Sequence, residues 1–340
     1  MKASKTYIGT FGLLLFFLLL TFFTNLSLGS IPIPIEELLK ILFLEDSSKE
    51  SWNYIVLNYR LPKALTALLV GSGLGVSGLL MQTLFRNPLA GPFVLGISAG
   101  ASLGVALLIL GTSFLGGLSL THWNLVGAAS TGSFFVLFAV LVAIKRIKNT
   151  MSILIIGLMF GSISAAIINV LSYFSSAEKL QQFVFWSFGS LGNLNWTEVL
   201  LFGIVVVCCF LLSLKTIKPL NSLLLGENYA ISMGVDLKKT QYLVLICTSI
   251  LTGIITAFAG PIAFVGLTVP HLSKLMFPTS NHRILLPATA LVGTILLLLC
   301  DTIAQLPGSA YSLPINAITS IFGAPIVIWL LVRKKDSRRL

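Results

Sequence analysis

Apolar residues in this chain come in long unbroken blocks. They show neither the alternation of a half-buried strand nor the narrow stripe of a soluble helix. Runs without Asp, Glu, Lys or Arg cover 6–35, 64–85, 87–144, 149–177, 180–197, 199–214, 240–273, 284–300 and 302–332. A helix of ~20 apolar residues crosses a bilayer core, so these blocks predict membrane-spanning helices. Two of them are too long for one crossing. Run 87–144 needs a turn, and Gly111 to Asn124 (GTSFLGGLSLTHWN) supplies it. Run 240–273 would measure about 51 Å as one helix and is split at Gly260-Pro261. Spans are expected near 8–29, 62–85, 93–110, 124–144, 151–173, 196–214, 241–259, 262–277, 283–303 and 314–333. The fold class is an all-α polytopic membrane protein of about ten helices. It forms a single transmembrane domain, 1–340, with half-repeats at about 1–175 and 190–340.

The stretch from Arg60 to Gly104 is the most informative. A charge-free helix from Ala64 to Phe85 ends at Arg86, and Asn87-Pro88-Leu89-Ala90-Gly91-Pro92 follows. Pro88 and Pro92 lack a backbone donor and disfavour helix just before them, so the chain must break there. Non-helical backbone beside a span is tolerated only where it is buried in protein or lines a cavity, which points to a pathway. Gly71, Gly75, Gly96, Gly100 and Gly104 are expected to let helices pack closely.

Composition agrees with the pattern: 56% of residues are hydrophobic, 10% are charged, and the mean hydropathy is +0.98. An even number of spans places both termini on one side. If that side is cytoplasmic, all of the 22 Lys and Arg lie inside except Lys40, Lys49, Arg60, Lys63 and Lys179. The net charge of +11 is thus a topology signal. It is not a nucleic-acid footprint, because the basic residues sit in short loops at span ends. Residues 36–58, 113–122 and 175–190 are expected outside. Residues 145–150 and 215–240 and the tail after Arg333 are expected inside.

The N-terminal apolar run exceeds a signal h-region of ~7–15 residues and reads as an uncleaved first span. Cys208, Cys209, Cys247 and Cys300 lie in apolar segments without metal or disulfide spacing. His122, His271 and His282 are too separated for a local metal site and read as loop or span-end residues. The eleven acids fall at ends and loops, with Asp301 near the outer end of the ninth span. Proton-coupled transporters place acids within spans, so that class is disfavoured. A sodium-driven carrier built on carbonyls and hydroxyls stays open, as does a membrane scaffold. No Gly-Lys-Ser/Thr phosphate loop occurs, so any ATP-driven step needs a separate subunit and this chain is not itself an enzyme.

Such a subunit has a docking place in the inner loop 215–240, KTIKPLNSLLLGENYAISMGVDLKKT. Gly226 to Gly234 is expected to form a short amphipathic helix. Glu227, Ala230, Ile231 and Gly234 would share one face, and the small residues there suit close approach of a protein.

RLPKALTALLVGSGLGVSGLLMQTLFRNPLAGPFVLGIS (60–98), GENYAISMGV (226–235), FVGLTVPHLSKLM (264–276), NHRILLPATALVG (281–293) and ITSIFGAPIVIWLLVRK (318–334) together resemble the FecCD-type permeases of ABC importers. That family moves ferric siderophores, haem and cobalamin. The resemblance covers nearly the whole chain. It implies a type II ABC importer permease fold in a bacterial cytoplasmic (inner) membrane. The partners implied are a second copy of the chain, two ATP-binding cassette subunits beneath and an extracytoplasmic substrate-binding protein above. No nucleic acid takes part. ATP and Mg would belong to the cassette subunits, and this chain would hold no cofactor, no metal and no catalytic residue. An iron chelate leads as substrate, with haem or cobalamin as alternatives.

The resemblance also assigns residues. Arg60 and Lys63 stand where relatives have basic residues that receive acidic side chains of the binding protein, and their spacing would put both on one face near water. Where relatives often have a further Arg and a Glu, this chain has Gln305 and Ser312. Asn87 and Leu89 match the turn that narrows the inner mouth, and Thr150 and Met151 match a second constriction. Gly226, Glu227, Ala230, Ile231 and Gly234 fall in the loop that couples to the ATPase.

Overall fold

The computed structural model describes residues 2–43, 49–111, 121–146, 150–309 and 311–336. Every regular element among them is helical. In chain order these are α1 (Lys2–Ser27), α2 (Ile35–Leu42), α3 (Glu50–Ile55), a π-helical turn (Val56–Arg60), α4 (Leu61–Leu84), a 3₁₀ turn (Pro92–Leu95), α5 (Ile97–Ile109), α6 (His122–Arg146), α7 (Thr150–Tyr173), α8 (Ala177–Ser187), α9 (Trp196–Leu214), α10 (Ile217–Leu223), α11 (Glu227–Ser232), α12 (Leu237–Ala259), α13 (Val265–Met276), α14 (His282–Ala304) and α15 (Ile315–Asp336). Among the described residues seven helices are long and apolar enough to cross a membrane; α5 and the Ile315–Trp329 part of α15 are shorter apolar helices. Most of the turn expected at Gly111 to Asn124 lies outside the described residues.

Several boundaries differ from the hydrophobic pattern for local reasons. The span expected at 62–85 begins at Glu50 and runs unbroken to Leu84. Pro62 cannot donate to the carbonyl four residues back and would crowd it. The wider π turn at Val56–Arg60 lies where that mismatch has to be absorbed. The span expected at 93–110 starts only at Ile97, because Pro92 opens a 3₁₀ turn and Gly96 closes it at φ +74°. That left-handed conformation suits glycine.

The helices gather into two compact units that interleave in sequence. The first comprises 1–76, 190–204 and 263–340. In it α14 packs against α1, α13 and α15. Apolar burial cannot drive helices together in lipid, so small residues and interhelical hydrogen bonds must do so. Gly71 and Gly293 meet backbone to backbone: a Cβ at either would collide with the carbonyl oxygen of the other. One turn on, a Cβ at Gly75 would lie 2.9 Å from the Thr289 carbonyl oxygen.

The second unit comprises 77–189 and 205–262. Here α5 packs on α6, α7, α8 and α12. A Cβ at Gly100 would overlap Gly132, one at Gly104 would overlap Ala128, and one at Gly96 would reach Gly157. Thr248, Thr252 and Thr256 form a buried hydroxyl stripe on α12, each donating to the carbonyl four residues back. Ser77 Oγ lies 3.3 Å from Thr252 Oγ1, and Ser98 Oγ lies 3.1 Å from Thr256 Oγ1. Polar groups inside a membrane protein must be satisfied internally, and these are.

Candidate functional site

Arg60 closes the π turn and points inward. It is 8% exposed. Its guanidinium donates to the carbonyls of Leu26 (2.6 Å), Ser27 (2.9 Å) and Ile31. Leu26 and Ser27 end α1, where carbonyls lack an intrahelical partner, and Ile31 lies in the segment that follows; the Ser27 carbonyl also accepts from the Ile33 N–H at 3.0 Å. Gly29 makes room for this, because a Cβ there would stand 2.8 Å from Arg60 Nη2. The expectation of an exposed basic pair is therefore corrected for Arg60. A cation at a span end can snorkel to water or turn back onto carbonyls, and here it does the latter.

Lys63 stays partly exposed, with 24% of its side chain accessible, and pairs with Asp301 at 3.0 Å. Asp301 is buried and also accepts from Asn25 Nδ2 (2.9 Å) and Gln305 Nε2 (2.8 Å). Asn25 Nδ2 lies 3.0 Å from Thr302 Oγ1 as well. Arg60, Lys63 and Gln305 share the wall of a pocket of about 430 Å³ with Tyr59, Tyr311 and Ser312. Among the described residues four serines line it, and no acid does. Asn25 was missed in the sequence. An Asn within the apolar run 6–35 and a lone Asp between the apolar runs 284–300 and 302–332 are the signal that would have paired them.

At the other end of α4 the chain turns sharply. Arg86 has φ +46°, and Asn87 Oδ1 accepts from the Leu89 N–H at 2.9 Å. This side-chain turn leaves Leu89 42% exposed. Arg86 Nη2 donates to the Leu223 carbonyl at 2.9 Å, at the end of α10. The turn is thereby tied to the loop 215–240, a link the sequence did not reveal. Thr150 and Met151 open α7, and Met151 is 53% exposed; the Thr150 side chain lies outside the described residues. The structure groups Asn87 with Leu89 in one turn. It sets the 3₁₀ turn that follows against α7, where a Cβ at Gly157 would lie 2.7 Å from the Leu95 Cα.

The loop 215–240 contains two short helices, α10 and α11, packed on one another and on α12. Gly226 (φ +122°) precedes α11 and Gly234 (φ +78°) follows it, so both are conformational stops rather than members of a helical face. Ala230 is fully buried beneath α11. The small-residue face therefore points into the protein, because Ala230 anchors the loop to its own unit. The exposed face carries Glu227 and the apolar side chains of Leu224, Leu225, Tyr229, Ile231 and Met233. Asp236 caps α12 by accepting from the Lys239 N–H at 3.1 Å. That bond holds its carboxylate below the usual range. Among the described residues no cluster of His, Cys, Asp and Glu could hold a metal ion, and the four cysteines are unpaired with one another.

Comparison with known proteins gives a consistent result. The profile of the FecCD transport family matches residues 17–333. The haemin transport system permease protein HmuU of Yersinia pestis is 35% identical over 336 residues, 96% of each chain. The vitamin B12 import system permease protein BtuC of Klebsiella pneumoniae is 39% identical over 278 residues, covering 81% of this chain and 82% of that one. A solved structure described as a metal-chelate type ABC transporter in an inward-facing conformation superposes with a TM-score of 0.84 at 30% identity. It covers 97% of this chain and 99% of its own. The motifs, the helical fold and these likenesses agree over nearly the whole length, and the chain belongs to the FecCD transport family of ABC importer permeases.

Proposed function

We propose that this chain is the membrane subunit of an importer for an iron chelate, a ferric siderophore first, delivered by an extracytoplasmic binding protein. It works as a pair of copies over two ATP-binding cassette subunits. About ten helices cross the cytoplasmic membrane, α5, α13 and α15 joining the seven long ones, with both termini inside. The observation that carries the reading is the exposed apolar face of α10–α11. Leu225 is 67% exposed, Ile231 56% and Met233 62%, on a short segment anchored by Ala230 and tied by Arg86 to the turn at Asn87–Leu89. Apolar side chains so exposed in a loop rimmed by lysines suit a protein partner.

In this reading the cassette subunits move α10–α11, and Arg86 passes the movement to the turn that narrows the inner mouth with Thr150 and Met151. The pocket beside Arg60 and Lys63 receives acidic side chains of the binding protein. The chain performs no covalent chemistry. It supplies two conformations that its partners stabilise in turn. Haem and cobalamin are the alternative cargoes, supported by the likeness to a haemin permease and to a B12 permease. Titrating the purified binding protein of the same transporter with a ferric siderophore, haemin and cyanocobalamin separates them. Tight binding of a ferric siderophore alone is expected. Binding of haemin alone or of cyanocobalamin alone overturns the siderophore assignment.

A further inference from the structure

The pocket beside α4 holds two cations with different partners. Arg60 is satisfied by three neutral carbonyls and keeps its full charge. Lys63 is neutralised by Asp301, which is 2% exposed and does not line the pocket. Asp301 has two further donors, Asn25 Nδ2 and Gln305 Nε2. A buried carboxylate that lost its cation would cost several kcal/mol. This one would retain two hydrogen bonds, and Arg60 remains in the same pocket wall. The Lys63 stem runs along the pocket wall: its methylenes pass 3.6 Å from where a Cβ on Gly192 would be, and both residues line the pocket.

We propose that Asp301 is a resident counter-ion that holds Lys63 until an acidic side chain of the binding protein takes it over. Docking is then an exchange of one carboxylate for another on the same ammonium group. The Asn25 and Gln305 donors keep Asp301 hydrogen-bonded after Lys63 leaves. The exchange also releases a tie between α4 and α14. Asp301 is a positioning residue here; it touches no partner. The inference rests on the reading of this pocket as the docking site.

The test is the affinity of the binding protein for the assembled transporter in nanodiscs, at low and high salt. Lys63→Met weakens docking about tenfold if Lys63 is a contact. Asp301→Asn and Asp301→Ser, which free Lys63, tighten docking about three- to tenfold at low salt, and the gain shrinks at high salt. In the double variant Lys63→Met/Asp301→Asn no lysine remains to be released, so affinity matches Lys63→Met within about twofold. That variant removes both charges of the pair, so it stays informative even where a single Asp301 variant does not assemble. Asp301 variants that assemble and bind like the wild type, or more weakly, overturn the exchange. So does a double variant that departs from Lys63→Met. An unchanged affinity for Lys63→Met overturns instead the docking reading beneath it.

Discussion

Arg60 stands at the end of a π turn with its guanidinium against the carbonyls of Leu26, Ser27 and Ile31. A hydrogen bond from a charged group contributes about 1.5–3 kcal/mol net, and a buried acceptor left without a donor costs about 1–3. Arg60→Met is therefore expected to cost about 2–4 kcal/mol of stability, since the bonds share one side chain and do not add fully. Arg60→Lys recovers only part, because an ammonium cannot reproduce the planar fork. Thermal unfolding of the solubilised protein checks this, and wild-type melting of Arg60→Met would remove the clamp. Sequence spacing placed Arg60 at the outer start of a span, whereas the helix runs unbroken from Glu50 and Arg60 lies within it, and its direction was not legible either. The deciding carbonyls lie about thirty residues earlier, and only the fold brings them within reach. For Asp301 the reverse holds: its place near a span end was legible, and its partners were not.

Among the elements, the long apolar helices were legible because their ends are set by charges, prolines and glycines. Shorter helices were not. α2, α8 and α10 are too short to register as spans, and their apolar residues read as loop. The contact between α4 and α14 is specified by Gly71 and Gly293, and it yields a paired prediction. Gly71→Ala puts a methyl group into the Gly293 carbonyl, a backbone clash costing about 1–3 kcal/mol or more. Gly12→Ala, where nothing lies within 4 Å, is expected to be neutral or slightly stabilising. Equal melting temperatures for the two would contradict the close crossing. The α10–α11 face yields another prediction. Ile231→Asp places a charge on an exposed apolar position, so the permease folds normally while ATP hydrolysis no longer drives uptake. Gly234 is a poor probe, because any side chain at φ +78° strains the stop itself. Ala230 is equally unsuitable, since it is buried within the loop's own unit. Full ATP-driven uptake by Ile231→Asp would place the coupling surface elsewhere.

At the scale of the whole molecule, the proposed orientation in the membrane rests on the distribution of basic residues. Ser51 and Ser232 are both exposed and fall on opposite sides in the proposed topology. In a cysteine-free background, Ser51→Cys is expected to react with an impermeant maleimide on cells whose outer face is accessible. Ser232→Cys should react only after permeabilisation. Labelling of position 232 from outside would invert the topology. Family membership was legible in the motifs because the turn after α4 and the loop 226–235 join unusual backbone to unusual composition. Cargo was not legible, because neither the pocket nor the described spans present a ligand set that favours one chelate. The central claim is that ATP hydrolysis by partner subunits drives import through this chain. The most direct measurement is uptake of a radiolabelled ferric siderophore into proteoliposomes holding the permease and its cassette subunits, with binding protein on the side opposite the cassettes. Uptake is predicted to need ATP and the binding protein together, and to persist when sodium and proton gradients are collapsed. Uptake driven by a sodium gradient without ATP would contradict the account.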